Sequence, residues 1–226
     1  MWFDPVYLMF ALPGLVLALF ASVLTHSTFR KYARVRSSSG LTGAQAARYM
    51  LDREGLGHVT VELTRGFLSD HYDPRSNTLR LSPDVYQSDS LSAIGVACHE
   101  AGHALQQAHR YAPLAMRSSL VPITQFGSQL APLIILGGLI FQFSALFNLG
   151  VLLFSAVVLF TLVTLPVEWN ASARAKQAMV AAGIVTPREQ PKAAAVLNAA
   201  FLTYVASAVS AVLQLLYYLS MANRRR

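Results

Sequence analysis

Charge is scarce in this chain. Asp, Glu, Lys and Arg make up 13% of its 226 residues, while 54% are hydrophobic; a soluble domain carries about 25% charged residues. That imbalance points to a protein of the lipid bilayer. Cysteine is scarcer still, and the single Cys98 excludes an intrachain disulfide. On a helix it lies about 100° round from His99, so it reads as a small buried residue rather than a metal ligand. No dense basic helix and no interleaving of aromatic and basic residues stands outside the loops that flank apolar runs. A nucleic-acid partner is therefore disfavoured despite the net charge of +7. No basic residue precedes the first apolar run, which argues against a cleaved leader.

Against this apolar background one polar motif stands out, His99-Glu100-Ala101-Gly102-His103, an HExxH pattern in a predicted helix over 91–107. Residues four apart on a helix differ by about 40°, so His99 and His103 can offer two imidazole nitrogens to one ion. Glu100 beside them is the carboxylate that in such motifs takes a proton from water instead of binding the metal. The surrounding Ser92, Ala93, Ile94, Val96, Ala97, Ala101, Gly102 and Ala104 are small or apolar. Unpaired polar groups would be costly there, which favours a metal site over two structural histidines.

The rest of the chain predicts four membrane spans, over 2–24, 120–143, 147–165 and 196–221, with Gly137-Gly138 permitting close helix approach in the second. Residues 37–117 read as a small α/β insert between the first two spans. It has a helix over 41–56 capped by Thr42, a strand over 59–63, and a hairpin of strands 66–69 and 78–81 around the polar turn 70–77. Ser82-Pro83-Asp84 and Ser88-Asp89-Ser90 supply two helix starts. A polar, alanine-rich segment over 166–192 follows the third span. Of the 18 Lys and Arg, fifteen fall in the two segments that these spans place on one side and three, Arg224 to Arg226, on the other. That asymmetry predicts a cytoplasmic metal motif at the inner membrane and an outside N-terminus, with the basic tail opposing.

A catalytic zinc site needs a third protein ligand. His109 has the metzincin spacing, but Gln106 stands where that motif has its helix-leaving glycine, and on a continued helix His109 points away. Glu168 is the better candidate. Two predicted spans separate it from the motif and return it to the same membrane face; the alternative is a carboxylate paired with Arg174 or Lys176. His71 and Tyr72 are candidate transition-state donors, although their side chains would equally satisfy the turn that holds them.

Through Asp70-His71-Tyr72-Asp73-Pro74, Leu79-Arg80-Leu81-Ser82, His99 to Ala104 and Leu165-Pro166-Val167-Glu168, the chain resembles the YugP-like membrane-bound neutral zinc metallopeptidases. More distantly it is similar to the HtpX-type membrane peptidases, with a hairpin, HExxH, two spans, then ExxAD. The resemblance implies one zinc on His99, His103 and Glu168 with Glu100 catalytic, and Ser172 stands where the HtpX-type pattern has aspartate. The expectation is an α-helical multi-pass membrane protein with a gluzincin-type insert, hydrolysing peptide or membrane-protein substrates. The alternatives are a membrane scaffold keeping a structural metal and, third, an intramembrane protease. The apolar run ahead of the motif is too short for that last reading. The 78–81 strand is expected to hold substrate by edge pairing.

Overall fold

The computed structural model describes residues 5–66 and 69–224. Its elements run α1 (Pro5–Tyr32), α2 (Gly43–Arg53), β1 (Thr60–Leu63), β2 (His71–Asp73), β3 (Thr78–Leu81), α3 (Pro83–Tyr86), α4 (Leu91–Ala108), α5 (Ala112–Ile140), α6 (Ser144–Ala181) and α7 (Gln190–Asn223). The start of the first expected span, residues 2–4, and Arg225 and Arg226 of the basic tail lie outside the described residues.

Among the described residues, four helices, α1, α5, α6 and α7, are long and apolar enough to cross a membrane. They carry the large exposed side chains, among them Leu12, Leu19, Phe126, Leu133, Leu152 and Leu216. A water-soluble fold would bury such a set. At 28 to 38 residues these helices outrun the roughly 20 that a bilayer core needs, so each has length to spare. Pro166 does not end α6, although an interior proline removes a backbone hydrogen bond; the helix runs on to Ala181. The segment expected over 166–192 is thus in its first part a continuation of the third span's helix.

The chain forms two compact units. Among the described residues, one comprises 5–21, 115–166 and 202–224, and the other 22–66, 69–114 and 167–201. In the first, glycines let helices meet. A Cβ on Gly138 would run into the Phe147 backbone nitrogen, and one on Gly150 would lie 2.6 Å from Ile135 Cγ1. The second unit departs from a single insert between two spans. It is completed by residues 22–36 and 167–201, which add to the core around the 91–108 helix. Ala175, Met179, Ile184, Ala193 and Leu197 share its core with Met50, Leu51, Leu79, Leu81, Leu91 and Ile94.

Local chemistry in this unit follows the sequence closely. Thr42 caps α2 in a capping box with Gln45, and Gly55, at φ +72°, takes the left-handed turn that follows the helix. Ser90 caps α4 by accepting from the Ala93 N–H. The start of α4 is tied to the end of α1. Leu91 N–H donates to the Val35 carbonyl, Ser37 N–H to the Asp89 carbonyl, and Arg36 pairs with Asp89 at 2.6 Å. The buried Ser92 hydroxyl donates to the Phe29 carbonyl at 2.7 Å.

The sheet has the order β1-β3-β2, with β1 parallel and β2 antiparallel to β3. Two expectations change here. The partner of β3 in the hairpin is His71–Asp73, within the stretch read as a turn; of the strand expected over 66–69, Gly66 and Ser69 are not in a strand, and 67 and 68 lie outside the described residues. The second change concerns substrate pairing. β3 is the central strand with both edges used, so it has no edge to offer. The edge strand that packs against α4 is β2.

Candidate metal centre

Two helix turns face each other. From α4 come His99, His103 and, at the next position on the same face, Gln106; from α6 come Glu168 and, one turn on, Ser172. The helices meet backbone to backbone at Gly102, where a Cβ would stand 2.6 Å from the Ala171 carbonyl oxygen. That approach sets Glu168 against the motif. His99 Nε2 lies 3.2 Å and His103 Nε2 3.6 Å from the Glu168 Oε2, and the two imidazole rings stand at 82° with centroids 4.9 Å apart. Glu168 is 2% exposed and His103 is buried.

The residues fit a zinc ion on geometry alone. Tetrahedral bonds of about 2.0–2.2 Å place neighbouring ligand atoms about 3.3–3.6 Å apart, close to the 3.2 and 3.6 Å between the histidines and Glu168. The hydrogen bonds agree. Ser172 Oγ lies 3.1 Å from His99 Nδ1, and Gln106 Oε1 lies 3.0 Å from His103 Nδ1. Both outer ring nitrogens are thereby engaged, which turns both Nε2 atoms toward the carboxylate. Where the outer nitrogen carries the hydrogen, a neutral ring presents an Nε2 lone pair to the carboxylate, an arrangement that a cation between them stabilises. The same pull acts on His103. Burial lowers its pKa, but the hydrogen bond and charge of Glu168, with the charge of Glu100, outweigh burial and raise it above the ordinary value.

Glu100 is half-buried on the same turn of α4. Asp70, just before β2, is its acidic neighbour. Burial raises the Asp70 pKa, the Ser82 N–H and hydroxyl that it accepts from oppose the rise, and the Glu100 charge adds to it. Cys98 is fully buried, its thiol is pushed up to about 12 by burial, and it is not in the group formed by His99, His103 and Glu168.

The other sequence candidates lie elsewhere. His109 caps the C-terminus of α4, and its Nδ1 accepts from the Arg174 guanidinium at 2.5 Å; it is not in the group formed by His99, His103 and Glu168. Arg174 pairs with Asn170 and His109, and Lys176 with Asn198. On β2, His71 Nδ1 meets the Ser69 carbonyl at 2.8 Å and the Tyr72 hydroxyl donates to Asn77 Oδ1 at 3.1 Å, so both side chains bond within the hairpin region. Gln106 and Asn170 were not singled out as site residues by the sequence. The available signal was a fully polar side chain seven residues after His99, on the buried face of an apolar helix.

Comparison with known proteins concerns the chain as a whole. The family model described as "Putative neutral zinc metallopeptidase" matches residues 7–223. The "Putative membrane protease YugP" of Bacillus subtilis (strain 168) is 46% identical over 212 residues, covering 94% of this chain and 94% of that protein. No solved structure matches the chain. With a match to the family model over nearly its whole length and such a relative beside it, the chain belongs to this neutral zinc metallopeptidase family.

Proposed function

We propose that the protein is a membrane-bound zinc endopeptidase holding one zinc per chain on His99, His103 and Glu168, with Glu100 as general base. The observation that supports this most is the meeting of two imidazole Nε2 atoms with the Glu168 carboxylate at 3.2 and 3.6 Å, three groups that can each give one ligand atom to a cation. His99, His103 and Glu168 would hold the zinc, whose Lewis acidity would be available to a water and to the scissile carbonyl. Glu100, one residue from His99, takes the proton from the attacking water and hands it to the leaving amine. Ser172 and Gln106 hold the two imidazoles in register by engaging their Nδ1 atoms.

Substrate main chain pairs along the outer edge of β2, beside α4, in extended form. In that arrangement His71 and Tyr72, which lie on β2, become donors for the developing oxyanion once they leave their hairpin bonds. The site lies at the cytoplasmic face of the inner membrane. Support comes from α6: counted from Ser144, about 20 residues cross the hydrocarbon core, and Glu168 falls beyond them, as does the basic majority of the chain.

The test is metal analysis and casein cleavage on the purified full chain in detergent, with and without chelator, for wild type and Glu100→Gln. Wild type should carry zinc and lose cleavage with chelator. Glu100→Gln should keep zinc and lose cleavage by on the order of 10²–10⁴-fold. Equal cleavage by the two proteins would refute the role of Glu100 and favour a scaffold with a structural metal.

A further inference from the structure

Gln106 is 0% exposed, an amide placed among apolar side chains at the end of α4. A buried amide is costly unless its groups are all bonded. Here they are, and the bonds have a direction that can be traced from the rim of the unit to the metal group. The direction begins at Arg174, half-buried on α6, because a guanidinium has donors and no acceptor. Its Nε donates to Asn170 Oδ1 at 2.8 Å, so the atom that Asn170 turns inward is its oxygen. That oxygen also accepts from Gln106 Nε2 at 3.0 Å. The Val167 carbonyl accepts from the same Nε2 at 2.7 Å. Two acceptors with no hydrogen of their own therefore fix which way the Gln106 amide lies. Its Oε1 is left facing His103 Nδ1 at 3.0 Å. An amide oxygen accepts only, so Nδ1 must carry a hydrogen, and in the neutral ring Nε2 is left to face Glu168 with its lone pair.

We propose that Arg174, Asn170 and Gln106 form a positioning relay that holds His103 in its Nδ1–H form, so that a guanidinium with no contact to the ligand group controls how well that ligand binds zinc. The outer end of the relay is itself braced. Arg174 also donates to His109 Nδ1 and lies 6.0 Å from the Tyr111 ring centre. His109 thus serves the site by steadying Arg174 and not as a ligand. The other histidine differs. His99 Nδ1 meets a serine hydroxyl, which can donate or accept, so nothing comparable fixes its form.

The inference rests on the metallopeptidase reading, and the experiment separates the two. Zinc affinity of the full chain in detergent is measured by competition with a chromophoric chelator, and the fold of each metal-free variant is followed by far-UV circular dichroism. Gln106→Leu, which keeps the volume and removes the acceptor, should weaken zinc binding about 10–100-fold. Arg174→Met should weaken it roughly fivefold, the worth of one net hydrogen bond, without touching a ligand. Asn170→Leu should weaken it, whereas Asn170→Asp, whose oxygens still accept from Arg174 and Gln106, should bind zinc at least as tightly as wild type. Should Gln106→Leu fail to fold, Arg174→Met and the two Asn170 variants decide the matter. Wild-type affinity in Arg174→Met, or equal losses in Asn170→Asp and Asn170→Leu, would overturn the relay while leaving the metallopeptidase reading intact. A wild type that takes up no zinc would overturn both.

Discussion

Gly102→Ala is the sharpest perturbation the structure offers, because it changes neither a ligand nor a charge. The added methyl carbon would sit 2.6 Å from the Ala171 carbonyl oxygen, 3.2 Å from its carbon and 3.4 Å from Ala171 Cα. All three atoms are backbone, so no side chain can swing aside. To restore ordinary contact α4 and α6 must part by most of an ångström. Overpacking of this kind costs about 1–3 kcal/mol. Replacing a mid-helix glycine by alanine returns about 1 kcal/mol through helix propensity. The net loss of fold stability is then small, on the order of 0–2 kcal/mol, and the variant should fold.

The metal group has no such latitude. The 3.2 and 3.6 Å separations between the histidines and Glu168 are set across this same helix contact. Ligand distances in a working site hold to about ±0.2 Å. A displacement several times larger should lower zinc affinity and cleavage by at least about 10²-fold, the cost typical of a 1 Å misplacement. Gly95→Ala is the control. It lies one heptad earlier on α4, where a Cβ would meet the Ala193 carbonyl oxygen at 3.2 Å, a contact that needs only a few tenths of an ångström of give. It should leave zinc binding near wild type. The assay is chelator competition together with thermal melting of the zinc-free proteins. Wild-type zinc affinity in Gly102→Ala, or equal losses in Gly102→Ala and Gly95→Ala, would refute the argument that close backbone contact builds the site.

Glu168→Ala should lose zinc and cleavage together, while His109→Ala, which removes only a partner of Arg174, should keep zinc within a few-fold of wild type; the reverse pattern in metal analysis would reassign the third ligand. Sidedness can be read from single cysteines at Ser39 and Arg188, both exposed, on a Cys98→Ala background. Neither should react with an impermeant thiol reagent added outside intact cells, and labelling of either would overturn the cytoplasmic placement. Glu189 gives a pH prediction. Burial opposes its ionisation, but the Thr186 and Ser38 N–H groups and hydroxyls that it accepts from outweigh burial and hold its pKa at about 2. A depressed carboxylate stabilises the fold above its unfolded pKa of roughly 4.3, and that contribution is lost as pH falls toward the folded value. Thermal melts of wild type should therefore show an acid loss between about pH 4.3 and 2 that is smaller in Glu189→Gln; identical pH profiles would contradict it.

What could be read from sequence was whatever local chemistry decides. Thr42 and Ser90 mark helix starts because a side-chain oxygen satisfies an orphan N–H within three residues, and the apolar helices declare themselves by length. β2 escaped notice because three residues with exposed or half-buried side chains carry no alternation to detect, and its polar His71-Tyr72-Asp73 looks like a turn. The central position of β3 escaped for a different reason. Strand order follows from which segment pairs with which across the chain, and here β1 reaches past β2 to pair in parallel with β3. Nor could periodicity show that residues 167–201 complete the core of the unit that carries the HExxH helix.

The site divides along the same line. His99, Glu100 and His103 share one helix turn, so their meeting is written in a spacing. Glu168 needed the topological step of two spans returning it to one membrane face. Gln106 and Asn170 needed more, because neither residue type announces a role and their pairing exists only once α4 and α6 touch. The reason they had to be polar is nonetheless local to the ion. A histidine ligand is useful only when its outer nitrogen is held by an acceptor, and on this buried face of α4 no water or backbone carbonyl is needed for that role once Gln106 reaches His103. Having placed an amide there, the fold must satisfy the two hydrogens of its nitrogen as well. Val167 can take one through its carbonyl, but the second needs a side-chain acceptor with a fixed orientation, and Asn170 has one because Arg174 donates to it. Each polar residue of this line is thus required by the one before it, starting from the ligand and ending at a cation on the rim.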